Sequence, residues 1–252
     1  MKFFLRRKSL KPVNQKLATN YFGIVAAGGS GARLNPETPK QYLEINKRSI
    51  LEISVGTLLN SVNFKKLVVV VPKSDMEKCY FLKEKFKQIE LVAGGSTRCE
   101  SVFEGLKFLD SQSRADDWCL VHDAARPCVQ TKDILELIDV LKNSNTGGVL
   151  AAPVIDTLKK INDQSQIEET IDRANLWKAF TPQMFRYGVL FESIRSVLKN
   201  GISVSDESQA LEKMGQSICI VRGSSENIKI TYPEDIKKAE LFFSSLKNKD
   251  AS

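Results

Sequence analysis

The run Leu67-Val68-Val69-Val70-Val71, closed by Pro72, constrains the fold more than any other segment. Consecutive apolar residues, most of them β-branched, leave no polar face for water. A strand of this kind has to be covered on both sides, as in a parallel sheet held between helices. Tyr21–Ala27, Ile89–Val92, Trp118–His122 and Gly148–Ala152 read as further strands. Ile50–Leu59, Asp75–Phe86, Ser101–Leu109 and Asp133–Leu141 read as helices between them. Ser101 is a candidate N-cap, with Glu104 three residues on. The alternation predicts an α/β chain with a Rossmann-like, mostly parallel sheet flanked by helices.

Residues 153–180 break this rhythm. Val154–Lys159 reads as a strand, Asn162–Ser165 as a turn and Ile167–Ile171 as a return strand. The expectation is a β-hairpin arm, about 153–175, leaving the main body. Such a hairpin needs a partner surface, which makes it a candidate homodimer contact. Beyond it, Phe185–Leu198 and Ser208–Met214 read as helices, Ile218–Val221 and Ile228–Thr231 as strands, and Pro233–Leu246 as a closing helix.

A chain of 252 residues with 42% hydrophobic content suits a single domain over 21–252, with no need of disulfides. The cysteines Cys79, Cys99, Cys119, Cys128 and Cys219 form no C-x-x-C pair, and there is one histidine, His122. That pattern argues against Cys/His zinc sites and for reduced thiols in a cytoplasmic protein. No apolar run approaches the length of a membrane span. The net charge of +7 is concentrated at one end. Lys2, Arg6, Arg7, Lys8, Lys11 and Lys16 stand in residues 1–20 without an acid, so the remainder is nearly neutral. The body is therefore not a basic nucleic-acid platform. Residues 1–20 read as a disordered basic extension of unassigned role.

Ligands of open α/β sheets gather at the carboxyl ends of the strands. Three unusual segments follow predicted strands: Ala27–Arg33, Gly94–Arg98 and Asp123–Arg126. The loop Ala27-Gly28-Gly29-Ser30-Gly31-Ala32-Arg33 would let backbone N–H groups approach phosphate oxygens. It has neither a Gly-Lys-Ser/Thr ending nor a G-x-G-x-x-G pattern. Arg33 and Lys40 place two cations near it, suited to charge developing on a triphosphate attacked at its α-phosphorus. In His122-Asp123-Ala124-Ala125-Arg126-Pro127, Asp123 could meet a metal or a substrate hydroxyl and Arg126 could fork onto a phosphate. His122 is expected to be structural.

Taken in order, Pro39-Lys-Gln-Tyr-Leu, Val121-His-Asp-Ala-Ala-Arg-Pro, Asp172-Arg173, Thr181-Pro-Gln and Asn227-Ile-Lys resemble the 2-C-methyl-D-erythritol 4-phosphate cytidylyltransferase family, from about Gly23 to about Leu246. The resemblance implies transfer of CMP from CTP to 2-C-methyl-D-erythritol 4-phosphate, with Mg²⁺ as cofactor, in non-mevalonate isoprenoid synthesis. It implies that Arg33, Lys40, Arg173 and Lys229 are catalytic. The nucleotide would meet Ala27, Gly28, Gly29, Gly95, Ser101 and Ala124. The acceptor would meet Asp123, Arg126, Thr157, Thr181 and Ser205, with Thr157 and Arg173 reaching the partner subunit's site. Departures from the family pattern are Gly28 for a usual Ala, Ser96 for a frequent acid and Ser205 for a frequent Thr. The alternatives are a ribitol-5-phosphate cytidylyltransferase, a non-catalytic nucleotide-binding module of the same fold, and an RNA-binding protein using the tail.

Overall fold

The structure is a computed structural model, and it describes residues 19–28 and 39–250. The basic extension up to residue 18 and residues 29–38 lie outside the described residues, and with them Gly29 and Arg33. In chain order the elements begin with β1 (Tyr21–Ala26), β2 (Glu44–Ile45), β3 (Arg48–Ser49), α1 (Ile50–Ser61), β4 (Lys66–Val71), α2 (Tyr80–Lys85), β5 (Ile89–Ala93) and α3 (Arg98–Leu109). They continue with β6 (Trp118–Asp123), α4 (Thr131–Leu141), β7 (Gly147–Pro153), β8 (Leu158–Ile161), β9 (Ile167–Ile171) and β10 (Trp177–Arg186). The last are α5 (Tyr187–Lys199), α6 (Glu207–Lys213), β11 (Cys219–Arg222) and α7 (Pro233–Asp250).

Seven strands form one sheet in the order β11-β7-β10-β6-β1-β4-β5. Every pair is parallel except those made by β10, which runs antiparallel to both β6 and β7. The run Leu67–Val71 is wholly buried, as its composition requires. Side chains of a strand alternate between faces. Leu67, Val69 and Val71 accordingly join α1 and α4 in one core cluster, with Leu51, Val55, Ile134 and Leu137. Val68 and Val70 join α3, α5 and α6 in the other, with Val102, Leu106, Leu190 and Ala210. The sheet is thus a rigid floor whose carboxyl ends carry the loops.

Four expectations are corrected. Phe185 does not open a helix. It lies, with Thr181, Pro182 and Gln183, in β10, a ten-residue strand inserted between β6 and β7. Proline cannot donate to a ladder. It is tolerated here because the pairing with β7 shifts register between Ala179 and Gln183. The second correction concerns α3, which starts a turn earlier than its Ser101 signal. Thr97 is the N-cap and forms a capping box with Glu100. Ser101 sits within the helix and donates its hydroxyl to the Thr97 carbonyl at 2.8 Å. Third, Asp75–Phe86 is broken into 3₁₀ turns at Lys73–Asp75 and Glu77–Cys79 before the short α2. Fourth, Ile228–Thr231 forms no strand, although Ile230 donates its N–H to the Ala125 carbonyl at 2.8 Å.

The hairpin is present, with its first strand at Leu158–Ile161 rather than at Val154–Lys159. β8 and β9 pair with each other and not with the main sheet. Leu158, Ile161 and Ile167 leave apolar surface exposed along it.

Candidate active site

A cleft of about 380 Å³ opens where β1, β5 and β6 end. Ala27 and Gly28 form one wall, Gly95, Ser96 and Thr97 another, and Asp123, Ala124 and Ala125 the floor. Lys40, Arg98 and Lys229 supply cations at its edge, and Asp123 is the one carboxylate that lines it among the described residues.

Each wall is held by specific bonds. The Ala27 N–H donates to the Val70 carbonyl at 2.8 Å, which continues the sheet into the loop. Gln41 is buried and donates its Nε2 to the Ala27 carbonyl at 2.9 Å, which ties the Lys40 turn to the glycine loop. Lys40 donates its Nζ to the Ile230 carbonyl at 2.9 Å. The opposite wall is fixed by Glu100, which accepts from the Thr97 N–H at 3.0 Å and the Ser96 N–H at 2.7 Å. The Gly95 position has no room for a side chain, since an added Cβ would lie 2.4 Å from Glu100 Cβ.

Charge concentrates on Asp123. Its Oδ1 accepts from Arg98 Nε at 2.8 Å and its Oδ2 pairs with Lys229 Nζ at 2.7 Å. Arg126 Nε lies 3.9 Å from the same Oδ2. Burial opposes ionisation of Asp123, but Arg98 and Lys229 override it and hold the carboxyl far below the usual range. Behind Arg98 stands Glu207, which is 1% exposed and accepts from both Nη atoms at 2.5 and 3.0 Å. Burial pushes the Glu207 carboxyl up, against the attraction of Arg98.

His122 and Thr181 form the backing. Thr181 Oγ1 accepts from the Asp123 N–H at 3.0 Å and lies 2.9 Å from His122 Nδ1. His122 Nε2 lies 3.2 Å from the Arg126 carbonyl. A carbonyl can only accept, so Nε2 carries the proton and the threonine hydroxyl donates to Nδ1. Full burial lowers the His122 pKa to about 4. His122 is therefore a neutral brace, as the sequence reading expects. Arg126 donates Nη1 to the Asn227 carbonyl at 2.8 Å and stacks over Phe180 at 5.3 Å. Its Nε is buried without a hydrogen-bond partner among the described residues.

Of the residues singled out from the sequence, Ala27, Gly28, Lys40, Gly95, Ser101, Asp123, Ala124 and Lys229 converge on the cleft. Arg126 and Thr181 stand directly behind Asp123. Ser205 is exposed ahead of α6, where its N–H donates to Gln209 Oε1 at 2.7 Å. Thr157 and Arg173 lie on the exposed arm, 3.5 Å from each other, and do not line the cleft of their own chain. Arg98, Gln41 and Glu207 have no individual role in the sequence reading, although Arg98 closes the Gly94–Arg98 segment and Gln41 lies within the Pro39–Leu43 motif; the partner of Arg98, Glu207, is 109 positions away.

The family model for IspD, 2-C-methyl-D-erythritol 4-phosphate cytidylyltransferase, matches residues 22–245. The chain belongs to the 2-C-methyl-D-erythritol 4-phosphate cytidylyltransferase family. It is 42% identical to the enzyme of that name from Vibrio vulnificus (strain CMCP6) over 231 residues, covering 92% of this chain and 98% of the relative. A relative of the same name from Hahella chejuensis is 40% identical, covering 87% of this chain and 91% of its own. Among solved structures, the cytidylyltransferase of Francisella tularensis superimposes with a TM-score of 0.78 at 32% identity, covering 89% of this chain and all of that one. Membership accounts for the sheet order and for the meeting of Lys40, Asp123 and Lys229, from three separate family motifs, in one cleft.

Proposed function

We infer that the chain transfers CMP from CTP to 2-C-methyl-D-erythritol 4-phosphate and releases pyrophosphate. The observation that carries this reading is the cleft itself. A glycine wall, three cations and a single carboxylate meet at the strand ends of a chain belonging to this family. In the proposed reaction an oxygen of the acceptor's phosphate bonds to the α-phosphorus of CTP. The bond from that phosphorus to the bridging oxygen breaks, and the electron pair leaves with pyrophosphate. The attacking phosphate has a second pKa of about 6, so it is already largely dianionic at neutral pH and needs no general base. The neutral, enclosed His122 suits such a mechanism.

The difficulty is to bring two anions together, and positioned cations answer it. Lys40 and Lys229 in the cleft, with Arg33 on the loop, are assigned to the triphosphate and the attacking group. Backbone groups of Ala27, Gly28 and Gly29 would cradle phosphates, and Gly95, Ser101 and Ala124 would meet the cytidine. Asp123, Arg126, Thr181 and Ser205 are assigned to the acceptor. The Nε of Arg126, without a hydrogen-bond partner among the described residues, leaves a donor that suits a phosphate oxygen.

Mg²⁺ belongs to this reading. The described residues offer no cluster of three or more metal-ligating side chains. One carboxylate, Asp123, suits Mg²⁺, which usually keeps one or two protein carboxylates and takes its other ligands from water and substrate phosphates. When bound, it would supply neutralisation of the triphosphate charge.

The exposed apolar arm supports a homodimer in which Thr157 and Arg173 complete the partner's site. The free thiols of Cys79, Cys99, Cys119, Cys128 and Cys219 fit a cytoplasmic setting. No helix among the described residues is long and apolar enough to cross a membrane.

The test is pyrophosphate release with CTP and Mg²⁺, comparing methylerythritol phosphate with ribitol 5-phosphate. The reading expects release with the first and little with the second. Equal or greater release with ribitol 5-phosphate would overturn the acceptor assignment, and no release with either would overturn the activity.

A further inference from the structure

Glu207 is a buried carboxylate for which the reaction above has no use. Burying a charge is costly unless it is paired and hydrogen-bonded. Replacing such a pair by apolar residues is often neutral or stabilising, so the pair is weak evidence of a purely structural role. The pairing also has a direction. Glu207 occupies both Nη atoms of Arg98 and leaves Nε as the edge that meets Asp123. Asp123 Oδ2 is thereby left to Lys229 and the cleft. Glu207, Arg98, Asp123 and Lys229, in that order, form a chain of alternating charge.

Glu207 is itself held from two sides. The N-cap Asp206 accepts from the Gln209 N–H and from Gln183 Nε2, both at 2.9 Å. The Ser208 N–H donates to Gln183 Oε1 at 2.9 Å. Gln183 lies on β10 two residues beyond Thr181, which braces the Asp123 backbone. The same strand therefore locates Asp123 and the anchor of its arginine.

We propose that Glu207 is a positioning residue of the acceptor site, which by engaging both Nη atoms of Arg98 prevents that guanidinium from turning its bidentate edge onto Asp123 and so keeps the Asp123 carboxylate open to the acceptor. This rests on the assignment of Asp123 to the acceptor. A guanidinium released from Glu207 takes a carboxylate in its two-pronged geometry when one is within reach, and Asp123 is the adjacent one. Loss of Glu207 then acts on acceptor binding more than on CTP binding.

The experiment is a double-mutant cycle on the full chain with Glu207→Gln, Arg98→Met and the double variant, reading KM for methylerythritol phosphate and for CTP separately. Glu207→Gln is expected to raise the acceptor KM on the order of tenfold, with the CTP KM within about twofold. In the Arg98→Met background the same change is expected to add nothing to the acceptor KM, because Glu207 acts only through Arg98. Effects that add in the double variant, or that fall equally on both substrates, overturn the proposal. Should Glu207→Gln not fold, Glu207→Asp, which keeps the charge but is a methylene shorter, enters the cycle and is read in the same way. Wild-type turnover is measured first. Its failure refutes the cytidylyltransferase reading, whereas a normal wild type with additive variants refutes only the role of Glu207.

Discussion

His122 offers a direct measurement of how the floor of the cleft is built. Its ring is fully buried, with Nδ1 accepting from Thr181 and Nε2–H donating to the Arg126 carbonyl. Burial outweighs the pull of Asp123, and Arg126 and Arg98 add repulsion, so the pKa falls from 6.5 to about 4. The unfolded chain binds the proton near 6.5 and the folded chain only near 4. The contribution of neutral His122 to stability is thus complete above pH 6.5 and is lost as the pH falls to about 4. That difference in proton affinity corresponds to about 3 kcal/mol. This is the chain's single histidine, so its ring signal in a proton NMR titration needs no assignment. The same quantity appears in urea unfolding: the stability difference between wild type and His122→Gln should narrow by about 3 kcal/mol across this window. A catalytic acid limb near pH 6 would belong to the acceptor phosphate. The variant should keep that limb. A ring titrating at 6 or above in the folded protein, or a limb that disappears in His122→Gln, would refute both the buried-brace account and the base-free mechanism.

Three other outcomes follow from the geometry. Lys40→Ala should lower kcat by about two orders of magnitude or more, with the folded circular-dichroism signal unchanged. Mixed with an equally inactive Arg173→Ala chain, it should recover about a quarter of wild-type activity through statistical heterodimers that hold one intact site; no recovery in isolated heterodimers would exclude a crossing arm. Asp117 accepts from Arg114 Nη2 at 2.7 Å and from the Asn20 N–H at 2.9 Å, and these override burial and take its pKa to about 2. Asp117→Asn should therefore cost about 2 kcal/mol at neutral pH, a difference lost as pH falls from the ordinary carboxylate range to about 2, measured by denaturant unfolding. Among the described residues, a Cβ at Gly28 would meet only Ser101 Oγ at 3.5 Å, whereas one at Gly95 would strike Glu100. CTP titration should then find Gly28→Ala near wild type and Gly95→Ala weakened on the order of tenfold, about 1.4 kcal/mol.

How much of this was legible in the sequence depended on whether the decisive contact was local. β4 was legible because a run without a polar residue has few ways to be buried. The His122–Pro127 segment was legible because an acid and an arginine directly after an apolar strand are out of place unless a ligand meets them. β10 was not, since Pro182 cannot donate to a ladder and the pairings of Gln183, Met184 and Phe185 with β6 and β7 that define the strand are remote in sequence. The start of α3 was ambiguous for a definite reason: Thr97 with Glu100 and Ser101 with Glu104 are both capping-box spacings. The structure selects the first, with Thr97 itself in extended backbone as the cap. The Arg98–Glu207 pair joins segments 109 positions apart, and no periodicity could announce it.

The insertion of β10 has a consequence for how this fold can vary. The strand leaves the arm at Trp177 and runs to Arg186, with one shift of register against β7 between Ala179 and Gln183. Along it Phe180 and Met184 point into one core cluster, while Phe185 enters the other and Thr181 and Gln183 reach the polar residues around Asp123 and α6. Because side chains alternate with a period of two, sliding this strand by one residue would exchange its greasy and polar sets. Lengthening or shortening the hairpin tip between Ile161 and Ile167 changes none of that. The length of the hairpin tip is therefore free to vary while the chemistry stays in step, whereas an insertion between Gln183 and Arg186 would move core and site residues together.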